Sequence, residues 1–232
     1  MSQFELNQFR RAIEKMRTSH IVGRVIPTLE TELFRLLANA STVLDIGCGP
    51  KSPLSSMEHF DLKVGVEPFH DYAELARQQR THHSIIEATI QEVDFEPKSF
   101  DAVVLIDVIE HLTESDAIQL LRQSENWAKT LVVVSSPNGF IPQKALDGNQ
   151  LQEHLSGWPL EVMREMGYKS RGMAGPKWLR QEVQSETMGN DIFASIRFRP
   201  RLFWFALATI IQPISYRFPR FAFSLLSYKK FD

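Results

Sequence analysis

The sequence predicts an α/β fold: a parallel sheet with helices on both faces. Two observations carry this. From Val43 onward, short apolar runs rich in Val, Ile and Leu alternate with amphipathic segments, the βαβα pattern of a parallel sheet. The run Val43-Leu44-Asp45-Ile46-Gly47-Cys48-Gly49-Pro50 then reads as a buried strand that stops at a backbone-exposing loop. Glycines at 47 and 49 let the main chain approach a ligand closely. Ser52 and Pro53 suit an N-cap and a first helical position. Strand, glycine loop and helix N-terminus together aim backbone N–H groups at a nucleotide-like ligand.

The elements follow in order. Phe4, Leu6, Phe9, Ile13 and Met16 form a helical stripe within a helical region 4–40. Gly23 to Pro27 interrupt it, and Thr28 caps a helix Leu29–Ala38. Strand one is Thr42–Ile46, followed by a helix Pro53–Phe60. Strand two, Leu62–Val66, ends in Glu67. Asp71 caps a helix reaching His82, and strand three is Ser84–Ala88. Strand four, Ala102–Ile106, is a continuous apolar run of the buried parallel kind. Thr113 and Asp116 suit a capping box for a helix ending near Lys129, and strand five is Leu131–Val134. Ser135 to Gly139 is turn chemistry, opening a long connection over 137–157 of the kind that often carries function. A short helix Pro159–Met166 stops at Gly167, and Tyr168–Met173 is strand six. Residues 174–200 are irregular, Phe203–Ile214 is apolar and aromatic with Pro213 breaking it, and Ala222–Tyr228 is the last strand.

With 232 residues, 43% hydrophobic and 23% charged, the chain has the composition of one globular domain with decorations. A net charge of -2 argues against a broad polyanion surface, hence against nucleic acid as a partner. A single cysteine excludes an internal disulfide and a cysteine-rich metal centre. Residues 1–11 contain no apolar secretory core, so a reducing cytoplasm is the expected compartment.

Glu67 stands 20 residues after Gly47 at the end of strand two, where an acid accepts hydrogen bonds from ribose hydroxyls. This suits NAD and S-adenosylmethionine (SAM) alike. A dinucleotide fingerprint asks for a third glycine where this chain has Ser52, and Asp45 is ill placed beside a pyrophosphate. A carboxylate there suits the ammonium and sulfonium of SAM.

On these residues the chain resembles the class I SAM-dependent methyltransferases (type 11/12-like). Val43–Pro50 is similar to their first motif and Val64-Gly65-Val66-Glu67 to the second-strand motif. Ser99 to Val104 resembles the approach to strand four, Asp107-Val108-Ile109-Glu110-His111-Leu112 the motif after it, and Ser136-Pro137-Asn138-Gly139 the loop after strand five. The resemblance covers about residues 40–173. It implies a seven-stranded sheet of order 3-2-1-4-5-7-6 with the last strand antiparallel, within one domain: N-terminal helices over 1–40, core 41–173, helical insertion 174–221, last strand 222–230. Pro50 and Thr89 depart from the family pattern. Many members carry a third glycine or small residue at the first position and an adenine-binding acid at the second.

The cofactor set implied is Asp45, Gly47, Cys48, Gly49, Glu67, Pro68, Phe69, Thr89, Ile90, Asp107 and Val108. His154 is the first choice of general base and His111 the second, since imidazole titrates near neutrality. Asn138, Asn149, His154 and Trp158 are candidate acceptor contacts; loop anchoring is the competing account of each. No metal site is assigned. The expected reaction is methyl transfer to a hydroxyl of a small molecule or of a sugar- or lipid-linked intermediate. Two alternatives stay open: an NAD-dependent oxidoreductase, and a non-catalytic SAM-binding scaffold. The stretch 202–215, flanked by Arg197, Arg199, Arg201, Arg217 and Arg220, is too short to span a bilayer. It reads either as a helix packed on the sheet or at an oligomer interface, or as a peripheral contact with the inner face of the membrane. The oligomeric state is left undetermined.

Overall fold

A computed structural model describes residues 25–145, 148–181 and 195–231. The stripe expected over residues 4–16, and Asp147 in the long connection, lie outside the described residues. Seven strands form one sheet: β1 (Thr42–Ile46), β2 (Leu62–Val66), β3 (Ser84–Ile86), β4 (Phe100–Ile106), β5 (Ala128–Pro137), β6 (Lys169–Pro176) and β7 (Ala222–Lys230). Their order is β3-β2-β1-β4-β5-β7-β6. Strands β1 to β5 pair in parallel, and β7 lies antiparallel between β5 and β6. This is the expected fold class and strand order. The helices are α1 (Leu29–Leu37), α2 (His70–Gln78), α3 (Glu114–Trp127), α4 (Leu160–Glu165) and α5 (Arg201–Arg217).

The middles of the central strands are apolar at both parities because both faces are covered. Leu44, Ile46, Val103, Leu105, Val132 and Val134 pack on α3 and α4 through Leu120, Leu121, Trp127 and Met163. Their neighbours Val43, Ala102, Val104, Leu131 and Val133 face the opposite layer, with Leu33 and Leu37 of α1. Strand side chains alternate, so a buried parallel strand needs apolar residues at both parities. Each large side chain buried this way contributes roughly 1.5–3 kcal/mol. Asp101 fixes the register at the bottom of the sheet: one carboxylate oxygen accepts the Ser41 and Thr42 amides, each at 2.9 Å.

Several local expectations are corrected. The helix expected over Pro53–Phe60 is a single 3₁₀ turn, Pro53–Ser56. The buried Lys63 ammonium takes the Leu54 carbonyl at 2.7 Å and the Met57 carbonyl at 3.4 Å, acceptors a continuing helix would have used. α2 starts after Phe69, not at an Asp71 cap, and ends at Gln78 rather than His82. β3 has only three residues. Ser135, Ser136 and Pro137 are strand, not turn: antiparallel pairing with Leu226, Leu225 and Ser224 overrides their turn chemistry. Pro213 lies inside α5 without ending it, because packing against β6 holds the helix on both sides of the missing donor.

α5 belongs to the stretch expected as an insertion and covers the edge strand β6. Gly172 makes the close approach: a Cβ there would lie 2.1 Å from the Ser215 carbonyl oxygen. The Gln212 side chain pairs with the edge like a strand residue, accepting from the Gly175 amide at 2.7 Å and donating to the Gly172 carbonyl at 3.1 Å. Tyr216 donates to Glu32 of α1 at 2.8 Å, tying the insertion back to the N-terminal layer. Among the described residues no helix is long and apolar enough to cross a membrane.

Candidate functional site

A cavity of about 1690 Å³ opens over the carboxyl ends of β1, β2 and β4, where an open α/β sheet places its ligands. Its first half is built by the loop after β1. Gly47 and Gly49 both have positive φ, +64° and +58°, a region other L residues adopt at a cost. At Gly47 space is closed as well, since a Cβ would meet Val108 Cγ2 at 2.6 Å. Glu67 is buried beneath this loop. Its two oxygens accept the Gly49 and Phe69 amides, each at 2.9 Å. Burial raises its pKa, the two amides oppose the rise, and the nearby Asp45 carboxylate adds to it. The carboxylate thereby holds the glycine loop against β2 while retaining lone pairs for a diol.

Asp45 is buried and engaged from two sides. Ser52 donates to one of its oxygens at 2.5 Å and His82 Nε2 to the same oxygen at 3.0 Å. Ser52 also caps the following turn, accepting the Leu54 amide at 3.0 Å. The serine in the third-glycine position thus fastens the acid at the end of β1. The Cys48 thiol is pushed up by burial, then by the Asp45 and Glu67 carboxylates, so it stays protonated and inert. At Thr89 the family acid is absent, and the Thr89 amide and hydroxyl instead hold Glu92 at 2.7 and 2.8 Å. Gln91, rather than Glu92, joins Thr89 and Ile90 in the wall.

The second half lies beyond β4. Asp107 has φ +53°, a strained backbone of the sort found at functional sites. Its carboxylate accepts from Ser135 at 3.0 Å. The side chain is open to the cavity, yet protein on the remaining sides raises its pKa, against the opposing pull of the Ser135 bond. The next turn, Ile109–His111, carries Glu110, whose pKa is raised well above the usual range by burial and then by Asp107. Burial and the neighbouring His154 push His111 down to about 4, so its imidazole is neutral. The His111 and His154 rings meet edge to face, centroids 4.8 Å apart. Ile141, Gln143, Asn149 and the α5 residues Leu202, Phe205 and Thr209 close this half.

Of the residues proposed from sequence, Asp45, Gly47, Cys48, Gly49, Glu67, Pro68, Thr89, Ile90, Asp107 and Val108 share this cavity wall, as do His111, Asn149 and His154. Phe69, Asn138 and Trp158 are not in it. The Phe69 ring packs edge-on against Tyr72, 4.9 Å between centroids, and its part in the site is the amide on Glu67. Asn138 is buried, donating to the Pro219 and Ala222 carbonyls at 3.1 and 3.0 Å and accepting the Leu160 amide at 3.3 Å. Trp158 is also buried, its indole N–H donating to the Ile109 carbonyl at 3.1 Å. These two anchor the long connection rather than contact an acceptor. Sequence reasoning missed His82, Glu110 as a buried acid, Ser135 and Gln212. Only Glu110 had a signal, its place in the motif after strand four; the others are brought in by long-range pairing.

Residues 44–130 match a family model described as a methyltransferase domain. Among solved structures, a SAM-dependent methyltransferase from Archaeoglobus fulgidus is 16% identical, with 99% of this chain and 100% of that one covered and a TM-score of 0.51. A protein from Pyrococcus horikoshii OT3 is likewise 16% identical, over 97% of this chain and 99% of that one, with a TM-score of 0.53. At such identities these two likenesses show the fold alone. No curated protein matches the sequence. The strand order, the cavity and the match over residues 44–130 together support a methyltransferase domain of the class I SAM-dependent kind, with SAM as its cofactor.

Proposed function

We propose that this methyltransferase acts on a hydroxyl of a small molecule or of a sugar- or lipid-linked intermediate held in the second half of the cavity. One observation carries the reading: a single continuous space joins the glycine loop and Glu67 to the pair His111 and His154. Methyl transfer is an in-line displacement, so alignment supplies most of the acceleration. In this reading Asp45, Glu67 and the amides of the 47–49 loop hold the donor. The β4 end of the cavity, walled by Asp107, His111 and His154, would hold the acceptor, and bound SAM would supply the methyl group. A neutral hydroxyl must also shed its proton, and His154 with His111 lowers the cost of that step.

The test is incubation of the purified chain with SAM and cell extract fractions, followed by mass spectrometry for methylated products. His154→Ala should lower kcat about a hundredfold or more, the range of general acid–base contributions, and leave SAM affinity within threefold. Tight NAD binding without SAM binding would instead favour an oxidoreductase. SAM binding with no product in any fraction, and cellular function retained in Glu67→Ala, would favour a scaffold.

A lipid-linked acceptor is favoured by the outer face of α5. Phe203, Ile210 and Ile214 are exposed there, and Phe218 and Phe221 continue the stripe. Residues 195–221 contain five arginines and no acid, the pattern of an interfacial helix at an anionic surface. Leu202 and Ile210 are both exposed and part of the cavity wall, which would let an amphipathic acceptor pass from membrane to site. Flotation of the wild type with anionic liposomes, lost in Phe203→Glu/Ile214→Glu, is the expected result; no flotation of the wild type removes the membrane from the reading.

A further inference from the structure

Two distant segments, the turn after β4 and the connection after β5, bring three donor groups to one point of the cavity. Glu110, His111 and His154 each offer a ligand atom, and these atoms all lie within 4.8 Å of one another. Three further features set the cluster apart from a chance meeting of polar groups. The first is Glu110 Oε2, which is buried with no hydrogen-bond partner among the described residues. An unsatisfied buried group of this kind is costly, and a ligand would remove that cost. The second is the clamping of both imidazoles through Nδ1. His111 Nδ1 lies 3.2 Å from the Glu153 carbonyl and His154 Nδ1 2.6 Å from the Ile141 carbonyl. A carbonyl only accepts, so each Nδ1 carries the proton and each Nε2 keeps its lone pair, the orientation that metal-bound histidines receive from their surroundings. The third is rigidity: the Leu155 and Ser156 amides donate to the Glu110 carbonyl at 2.8 and 3.1 Å, locking the two segments together.

We propose that Glu110, His111 and His154 form a site for one divalent transition-metal ion whose open coordination positions face the acceptor half of the cavity. One carboxylate and two imidazoles suit Mn²⁺, Fe²⁺, Co²⁺ or Zn²⁺ better than Mg²⁺ or Ca²⁺, which prefer all-oxygen sets. Asp107, held by Ser135, adds negative charge beside the three. Resting on the methyl-transfer reading above, the acceptor is then a hydroxyl flanked by a second oxygen, so that it chelates the ion. Bound to the cation, the hydroxyl releases its proton to water. Its oxygen then forms the C–O bond as the methyl–sulfur bond breaks and that electron pair returns to sulfur, leaving S-adenosylhomocysteine. With the ion bound, the histidines act as ligands in place of the base role given them above, and the cation supplies the acidity.

The experiment uses tag-free, chelator-stripped full-length protein titrated with MnCl₂, followed by electron paramagnetic resonance, and with CoCl₂, followed by visible absorption. SAM is titrated separately by calorimetry. The expected result is one equivalent of either ion per chain. His111→Asn and His154→Asn should each weaken binding at least tenfold, with SAM affinity within threefold of wild type. Where a histidine variant loses its circular dichroism spectrum, Glu110→Gln takes its place, with the same tenfold loss expected. SAM binding by the wild type without saturable Mn²⁺ or Co²⁺ binding overturns the site alone. So does metal binding unchanged in the variants. Metal binding without SAM binding supports the site and sinks the methyl-donor reading instead.

Discussion

The loop after β1 and the connection after β5 both hang over the carboxyl ends of the sheet, but they are held there in different ways. In the first, most ties are short in sequence or cross adjacent strands, the His82 contact on Asp45 being the exception. Ser52 reaches Asp45 seven residues back, and Glu67 takes the amides of Gly49 and Phe69. In the second, the ties span much of the chain. Asn138 is fastened to carbonyls 81 and 84 residues away, and Trp158 to one 49 residues away. A donor pocket held locally can be inherited as a motif. An acceptor pocket assembled from remote segments can vary its lining without disturbing the sheet.

The largest expected effect tests the remote half. At Gly172 an added Cβ would sit 2.1 Å from the Ser215 carbonyl oxygen and 2.5 Å from Ala222 Cβ. Both obstacles belong to packed elements, so neither can yield cheaply. Gly172→Val should destabilise the fold by about 3 kcal/mol or more, at the upper end of overpacking costs, read as a fall in the urea midpoint. A wild-type midpoint would mean that α5 is not seated on β6, and the long-range account of the acceptor half would fail.

Glu67→Ala comes next and probes the local half. The variant loses the acceptor for the diol and frees the Gly49 and Phe69 amides. Hydrogen bonds to a charged group are each worth about 1.5–3 kcal/mol, so two ribose bonds correspond to roughly a hundredfold or greater loss of SAM affinity by calorimetry. Thermal stability should change far less than in Gly172→Val. A variant that unfolds would show that Glu67 serves the sheet more than the donor.

Asn138→Ala gives a smaller effect and separates anchoring from binding. Removing this amide leaves the Ala222 carbonyl and Leu160 amide without it in a buried place, which costs about 1–3 kcal/mol. Stability should drop while SAM affinity stays within threefold. An unchanged melting temperature with a raised acceptor KM would restore Asn138 to the acceptor contacts proposed from sequence.

The same contrast explains what the sequence could reveal. The succession of strands, the glycine loop and Glu67 were legible because local patterns encode them: apolar runs, two glycines one residue apart, and an acid at a strand end. The strand order and Asp107 came only with the family resemblance. Boundaries failed where tertiary partners overrode propensity, as when Lys63 took the Leu54 carbonyl and cut a helix to one turn, or when β7 drew Ser135 to Pro137 into a strand. Asn138 and Trp158 were placed in the acceptor pocket because they lie in the right connection, yet position along the chain does not give the direction of a side chain. His82, 37 residues from Asp45, had no spacing rule to reveal it. The meeting of Glu110 with His154 required knowing that Leu155 and Ser156 bind back to the Glu110 carbonyl.

The smallest effect concerns Cys48 and sharpens the electrostatic side of the comparison. Its sulfur is wedged under β2, where a Cβ on Gly65 would approach Sγ to 2.8 Å. Burial, Asp45 and Glu67 all favour the neutral thiol. An ordinary thiol titrates near 8.5, and its alkylation rate levels off above that pH because the thiolate is the reactive form. For Cys48 the thiolate is suppressed throughout that range, so iodoacetamide should react slowly and the rate should still be rising at about pH 10. Cys48→Ala, which removes only the sulfur, should leave SAM affinity within threefold. A rate that levels off near 8.5 would mean that Cys48 is neither sheltered under β2 nor under the field of the two carboxylates, and the electrostatic account of the donor half would fail.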